Sequence, residues 1–127
     1  MLPFSVEIKP GQPIAEQVIF AAKKAIVTGQ LKPGALFPSV RILSQELKIN
    51  PNTAHKIVTS LVSEGVLITT PAVGSVVTER GVADRRERAE LLGIDVEHLA
   101  VEARQLGLSL DEVQASLATH WKRLGGK

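Results

Sequence analysis

Asn50-Pro51-Asn52-Thr53, followed at once by Ala54-His55-Lys56, gathers hydrogen-bonding groups and one cation on the opening turns of a helix. Asparagine is a strong N-cap, and proline suits the first helical position, whose N–H has no helical partner anyway. Ala54, Ile57, Val58, Leu61 and Val62 recur at helical spacing, so the helix has one apolar side. Its other side carries Asn52, Thr53, His55 and Lys56 and little else. The Asn52 amide can make paired bonds to adenine or bond a phosphate. Thr53 offers a hydroxyl to phosphate and a methyl to thymine. Lys56 can reach guanine or the backbone, and His55 can donate to an acceptor at a base edge. The helix N-terminus adds its own attraction for phosphate. Such a helix grips a scaffold with its apolar side and offers its opening turn to a major groove. Plainer roles exist for the same groups: Asn50 as a cap, Asn52 and Thr53 as a solvated first turn, His55 as an exposed neutral imidazole.

Arg41 extends this set. Pro38-Ser39 opens a short helix with Ser39 able to cap, and Val40, Leu43 and Leu47 form its inward stripe. Arg41 lies off that stripe, on the side of the next helix's start. A guanidinium there can clamp a phosphate or read guanine with two parallel bonds. Its plainer role is a salt bridge to Glu46 or another nearby carboxylate. Only Lys48 and Ile49 separate Leu47 from Asn50, so the chain must turn sharply between the two helices.

The remaining elements position this pair. Phe4 to Ile8 suits a short extended segment ended by Pro10-Gly11. A first helix is expected over Pro13–Thr28, with Ile14, Val18, Ala21, Ala22, Ala25 and Ile26 as its apolar stripe and Gly29 as its stop. The third helix ends at Gly65. Val66–Thr70, a turn at Pro71-Ala72-Val73-Gly74, and Ser75–Thr78 then make a two-stranded hairpin. The expected fold is mainly α with a small β-hairpin wing: a winged helix-turn-helix followed by a short helical dimerisation tail. Gly81 marks the boundary, giving a DNA-binding domain over 1–80 and the tail over 81–127. In the tail, 83–92 and 96–106 are expected as separate helices. Ser109 with Glu112 forms a capping box before Leu110, Val113, Leu117, Trp121 and Leu124 at helical spacing.

Composition narrows the function classes. The 127 residues suit one domain with an appendage, and 44% apolar content supports a real core. There is no cysteine, hence no disulfide, thiolate metal site or cysteine nucleophile. No run approaches the ~20 apolar residues of a membrane span, and no secretory leader is visible, so a cytoplasmic location without membrane partners is expected. Net charge is +2. Residues 1–80 hold 8 Lys/Arg against 5 Asp/Glu, and residues 81–127 hold 7 against 8. The mildly basic first part suits a nucleic-acid partner. Aromatic content of 3% argues against base-stacking platforms for single strands.

The pattern PG-x-x-x-PS-x-R-x-L-S, then N-P-N-T, then L-x-x-E-G-x-L resembles the N-terminal domain of GntR-family bacterial transcription regulators. The N-P-N-T form with a short tail is similar to the YtrA-like subfamily. The similarity covers residues 10–78 and the two-helix tail. It implies a winged helix-turn-helix repressor of an operon that often encodes a transporter. It also implies that Ser39, Arg41, Asn52, Thr53, His55 and Lys56 face DNA, with Gly74 at the wing; Asn50 joins them at the cap. One departure stands out. The family wing is usually basic and glycine-rich, whereas Thr70-Pro71-Ala72-Val73-Gly74-Ser75 has no cation, so it loses phosphate and minor-groove attraction.

Two short amphipathic helices cannot bury their stripes within one small chain, so a homodimer is expected, with Leu99, Leu106, Leu110, Val113, Leu117 and Trp121 at its interface. The alternative is a tail folded back on its own first domain. A dimer would match a duplex operator with inverted half-sites. About 45 tail residues leave little room for a dedicated effector pocket, so an effector, if any, binds at the dimer interface or between the tail and the first domain. No cofactor is expected. Catalysis has no support: His55, His98 and His120 are far apart, and no glycine-rich phosphate loop exists. The rival readings are a metal- or ligand-sensing regulator that uses the dimer tail, and a winged-helix module that binds protein.

Overall fold

The computed structural model describes residues 2–79 and 85–125. The chain divides into two compact units, Met1–Arg80 and Gly81–Lys127. In the first, helix α1 runs over Ile14–Val27 with Pro13 at its N-cap. Helix α2 spans Val40–Leu47 and α3 spans Pro51–Ser63, followed by strands β1 (Leu67–Thr70) and β2 (Gly74–Val77). The order is that of a winged helix-turn-helix. Helix α1 and β1 start one residue inside their expected bounds, α3 starts at Pro51 as expected, and β2 lies one residue earlier than expected. Phe4–Ile8, expected as extended, forms no strand.

The unit closes because one side of every helix is oily. Val18, Ala22 and Ala25 from α1, Leu43 from α2, and Ala54, Ile57 and Leu61 from α3 are buried together with Leu67 and Val77 of the hairpin. Each fully buried Val, Leu or Ile contributes about 1.5–3 kcal/mol of transfer free energy. Phe4 stacks on Phe37 with ring centroids 5.6 Å apart, drawing the N-terminal segment onto the core. Gln17 pins that segment, accepting from the Lys9 N–H at 2.8 Å and donating to the Lys9 carbonyl at 2.9 Å. An ion pair between Lys23 and Glu64 ties α1 to the end of α3.

The hairpin is antiparallel, with Leu67 opposite Val77 and Thr70 opposite Gly74. Segment 34–37 adds to the outer edge of β2: Phe37 N–H donates to Ser75, and Val77 N–H donates to Ala35, each at 2.9 Å. The β2 edge of the wing is thereby anchored to the segment that leads into α2.

The second unit corrects the sequence expectation. Helix α4 (Arg85–Glu90), a π-helical turn (Leu91–Asp95) and α5 (Val96–Gln105) follow one another without a break. Gly93 reads in sequence as a gap between two helices; the wider π turn absorbs it instead. Residues 83 and 84, where the first tail helix was expected to start, lie outside the described residues. Helix α6 covers Leu110–Arg123 and begins with the capping box: Glu112 N–H donates to Ser109 Oγ at 3.1 Å, and Ser109 N–H donates to Glu112 Oε2 at 2.7 Å. Ala103 alone is buried among the described residues of this unit.

Candidate nucleic-acid interface

Helix α3 is held by its back. Ala54, Ile57 and Leu61 are each 0% exposed, whereas Asn50, Asn52, His55 and Lys56 are exposed and Thr53 is half-buried. Asn50 Oδ1 accepts from the Asn52 N–H at 2.7 Å. This fills one of the free amides of the first turn and leaves the Asn50 side-chain NH2 available as a donor. The Asn52 side chain itself has no hydrogen-bond partner among the described residues. His55 Nδ1 lies 3.5 Å from Thr59 Oγ1 on the next turn, at the limit of a hydrogen bond.

Ser39 caps α2 by accepting from the Ile42 N–H at 3.2 Å, which leaves its own hydroxyl hydrogen free to donate. Arg41 is exposed and forms no ion pair among the described residues. The local salt bridge, its plainer role, does not form there. An exposed guanidinium in the first turn of α2, with no ion pair among the described residues, is suited to ligate phosphate or guanine.

The connection between α2 and α3 holds a feature that sequence reading missed. Lys48 adopts φ 54°, a left-handed conformation that costs a side-chain-bearing residue about 1–2 kcal/mol. Only Lys48, Ile49 and Asn50 join the two helices, and the short connection is closed through this one left-handed step. The wing has a second such residue, Ala72 at φ 68°, in a turn closed by Val73 N–H donating to Thr70 at 3.1 Å. Gly74 opens β2 at φ 103°. Val73 at the tip is exposed, as is Ile68 on β1, so the wing presents neutral and apolar groups.

Together these surfaces are an exposed helix opening turn, an exposed arginine on α2 without an ion pair among the described residues, and a hairpin wing on one small scaffold. Residues 14–77, half of the chain, match the family described as bacterial regulatory proteins, gntR family. The chain belongs to the GntR family. It is 29% identical over 120 residues to the HTH-type transcriptional repressor YtrA of Bacillus subtilis, a match that covers 88% of this chain and 92% of that protein. Among solved structures, YtrA from Sulfolobus acidocaldarius is 26% identical, with a TM-score of 0.58 over 96% of this chain and 99% of that one. A transcriptional antiterminator from Listeria monocytogenes EGD-e superposes with a TM-score of 0.87 at 23% identity, over 98% of this chain and 93% of that one. At that identity the likeness speaks for the fold, and it extends through the tail. This GntR chain is accordingly a DNA-binding transcription regulator with a winged helix-turn-helix and C-terminal helices, homologous to a repressor. No helix among the described residues is long and apolar enough to cross a membrane.

Proposed function

We propose that this GntR regulator is a cytoplasmic homodimeric repressor that docks α3 in the major groove of an operator with two inverted half-sites. One observation carries the reading. The opening turns of α3 present Asn52, His55 and Lys56 to solvent while its opposite face, through Ala54, Ile57 and Leu61, is sealed into the core. In this reading Asn52 and Lys56 meet base edges or phosphate, Thr53 and His55 meet the groove wall, and Ser39 and Asn50 donate to phosphate. Arg41 is the strongest single ligand, since its fork can bond one phosphate or one guanine twice.

The dimer follows from the tail. Leu99, Leu106, Leu110, Leu117 and Trp121 are exposed and Val113 is half-buried, an apolar surface larger than one small unit keeps in water. Residues 1–80 thus serve as the DNA-binding part and 81–127 as the dimerisation part. The neutral wing contributes backbone at Gly74 but no cation, so fewer phosphates are neutralised and binding falls less steeply with salt than a basic wing would give.

Protection mapping on the DNA upstream of the chain's own coding sequence tests the proposal. Two protected half-sites in inverted order, their centres about one or two helical turns apart, are expected. A single unpaired footprint, or none, would overturn it.

A further inference from the structure

The apolar stripe of α5 continues back across the π-helical turn in a register that the backbone does not follow. Counted back from Leu106, the residues Ala103, Leu99, Val96, Leu92 and Ala89 are separated by three, four, three, four and three positions. That is the spacing of one continuous α-helical face. The turn at Leu91–Asp95 interrupts it. There the Val96 N–H donates to the carbonyls of Leu91 and Gly93, five and three residues back, and passes over Leu92, the α-helical acceptor. The turn holds one residue more than an α-helical turn, so Leu91 takes the place one turn before Val96, and Arg88 follows it on the stripe. In an unbroken α-helix Leu92 would stand about 40° around the axis from Val96, and Leu91 about 140°. Leu91 is 58% exposed and Leu92 69%, so packing fixes neither in place.

We propose that the Leu91–Asp95 turn is a two-state register switch within the tail. In the π state Leu91 and Arg88 extend the stripe of α5; in the α state Leu92 and Ala89 replace them. Passing from the first to the second moves the Val96 N–H onto the Leu92 carbonyl. It also turns α4 by about 100°, one residue's step, around the common axis. The Leu91-Leu92 pair keeps the two states close in energy, because a leucine stands one turn before Val96 in either. Val96, Leu99 and Ala103 line the groove between α5 and α6, so the exchange decides which side chains prolong that wall. Helix α4 carries Arg85, Arg86 and Arg88 with Glu87 and Glu90, and all five charges move around the axis together. It is also the described tail segment nearest in sequence to the DNA-binding unit, so the switch couples tail conformation to operator binding. The coupling rests on the operator reading above; the register exchange itself does not.

Two full-length variants hold the two states. A Cβ at Gly93 would meet nothing within 4 Å, and its φ lies outside the left-handed region. Gly93→Ala therefore places the best helix former there without a clash and favours the α state. Deletion of Gly93 leaves Leu91 four residues before Val96, which keeps the π-state placement in ordinary α-helical bonds. Couplings across hydrogen bonds, read by NMR on isotope-labelled protein, identify the carbonyl that accepts from Val96. Leu91 is expected to accept in the unmodified chain and in the deletion variant, and Leu92 in Gly93→Ala. Leu92 as the sole acceptor in the unmodified chain, or Leu91 retained in Gly93→Ala, would overturn the switch. Operator affinity, by fluorescence anisotropy on the duplex that protection mapping defines, is expected to differ about fivefold or more between the variants. Equal affinity in two folded variants would overturn the coupling. If the deletion unfolds the tail, as circular dichroism would show, Gly93→Ala against the unmodified chain carries the same comparison. Failure of the operator reading would appear as absent binding in all the proteins alike, while the NMR couplings still decide the register.

Discussion

The two units of this GntR regulator spend their apolar residues in opposite ways. In the winged unit, helices α1, α2 and α3 turn their stripes toward one another, and Val18, Leu43, Ile57 and Leu61 lose all contact with water. In the tail, α5 and α6 carry comparable stripes, yet only Ala103 is buried, and Leu106 and Leu110 remain 77% and 70% exposed. The same periodicity closes a core in one unit and, among the described residues of the other, leaves a stripe exposed that the proposed homodimer would cover. A monomeric reader of DNA needs only the first arrangement; the second is what the proposed homodimer would use.

Core truncation breaks the comparison from the winged side with the largest effect. Leu61→Ala is expected to cost about 2–5 kcal/mol, because the packed site leaves a cavity. Denaturant unfolding should show this loss without a change in the monomer–dimer constant measured by sedimentation. Trp121→Ala tests the other side. It should weaken dimerisation by ten- to a hundredfold, about 1.4–2.8 kcal/mol, as loss of a buried aromatic anchor does.

Smaller changes sharpen the contrast. Ser109→Ala removes the cap of α6 and should cost about 1 kcal/mol of helix stability, seen as lower tail helicity by circular dichroism. The same box gives a pH signature. The Ser109 backbone N–H, helped by its hydroxyl, holds the Glu112 carboxyl below the ordinary carboxylate range. A carboxyl lowered by folding stabilises the folded form above its unfolded pKa and loses that contribution as pH falls through the folded value. The tail should thus loosen on acidification below about pH 4.5, and Glu112→Gln should flatten that response. Lys48→Gly, at φ 54°, is expected to raise winged-unit stability by about 1 kcal/mol, the only gain in the set, read by denaturant unfolding.

Much of this was legible in the sequence for physical reasons. Pro51 after Asn50 fixes where α3 begins, and helical spacing from Ala54 to Leu61 fixes which side is buried. The capping box at Ser109 is a purely local interaction and survives in the structure unchanged. What sequence hid depends on longer-range geometry. The continuity of α4 through the π turn into α5 is masked by Gly93, which reads locally as a helix breaker. The left-handed steps at Lys48 and Ala72 arise from closing a turn between fixed elements, not from the residues' own preferences. The free state of Arg41 could not be read either, because Glu46 lies within plausible reach in sequence.

Binding of the Arg41→Ala variant to an operator duplex tests the central claim most directly, with circular dichroism and light scattering on the same sample. The account expects affinity to fall by ten- to a hundredfold or more, about 1.4–2.8 kcal/mol, with fold and assembly intact. Unchanged affinity in a folded variant would contradict it and place the docking face elsewhere.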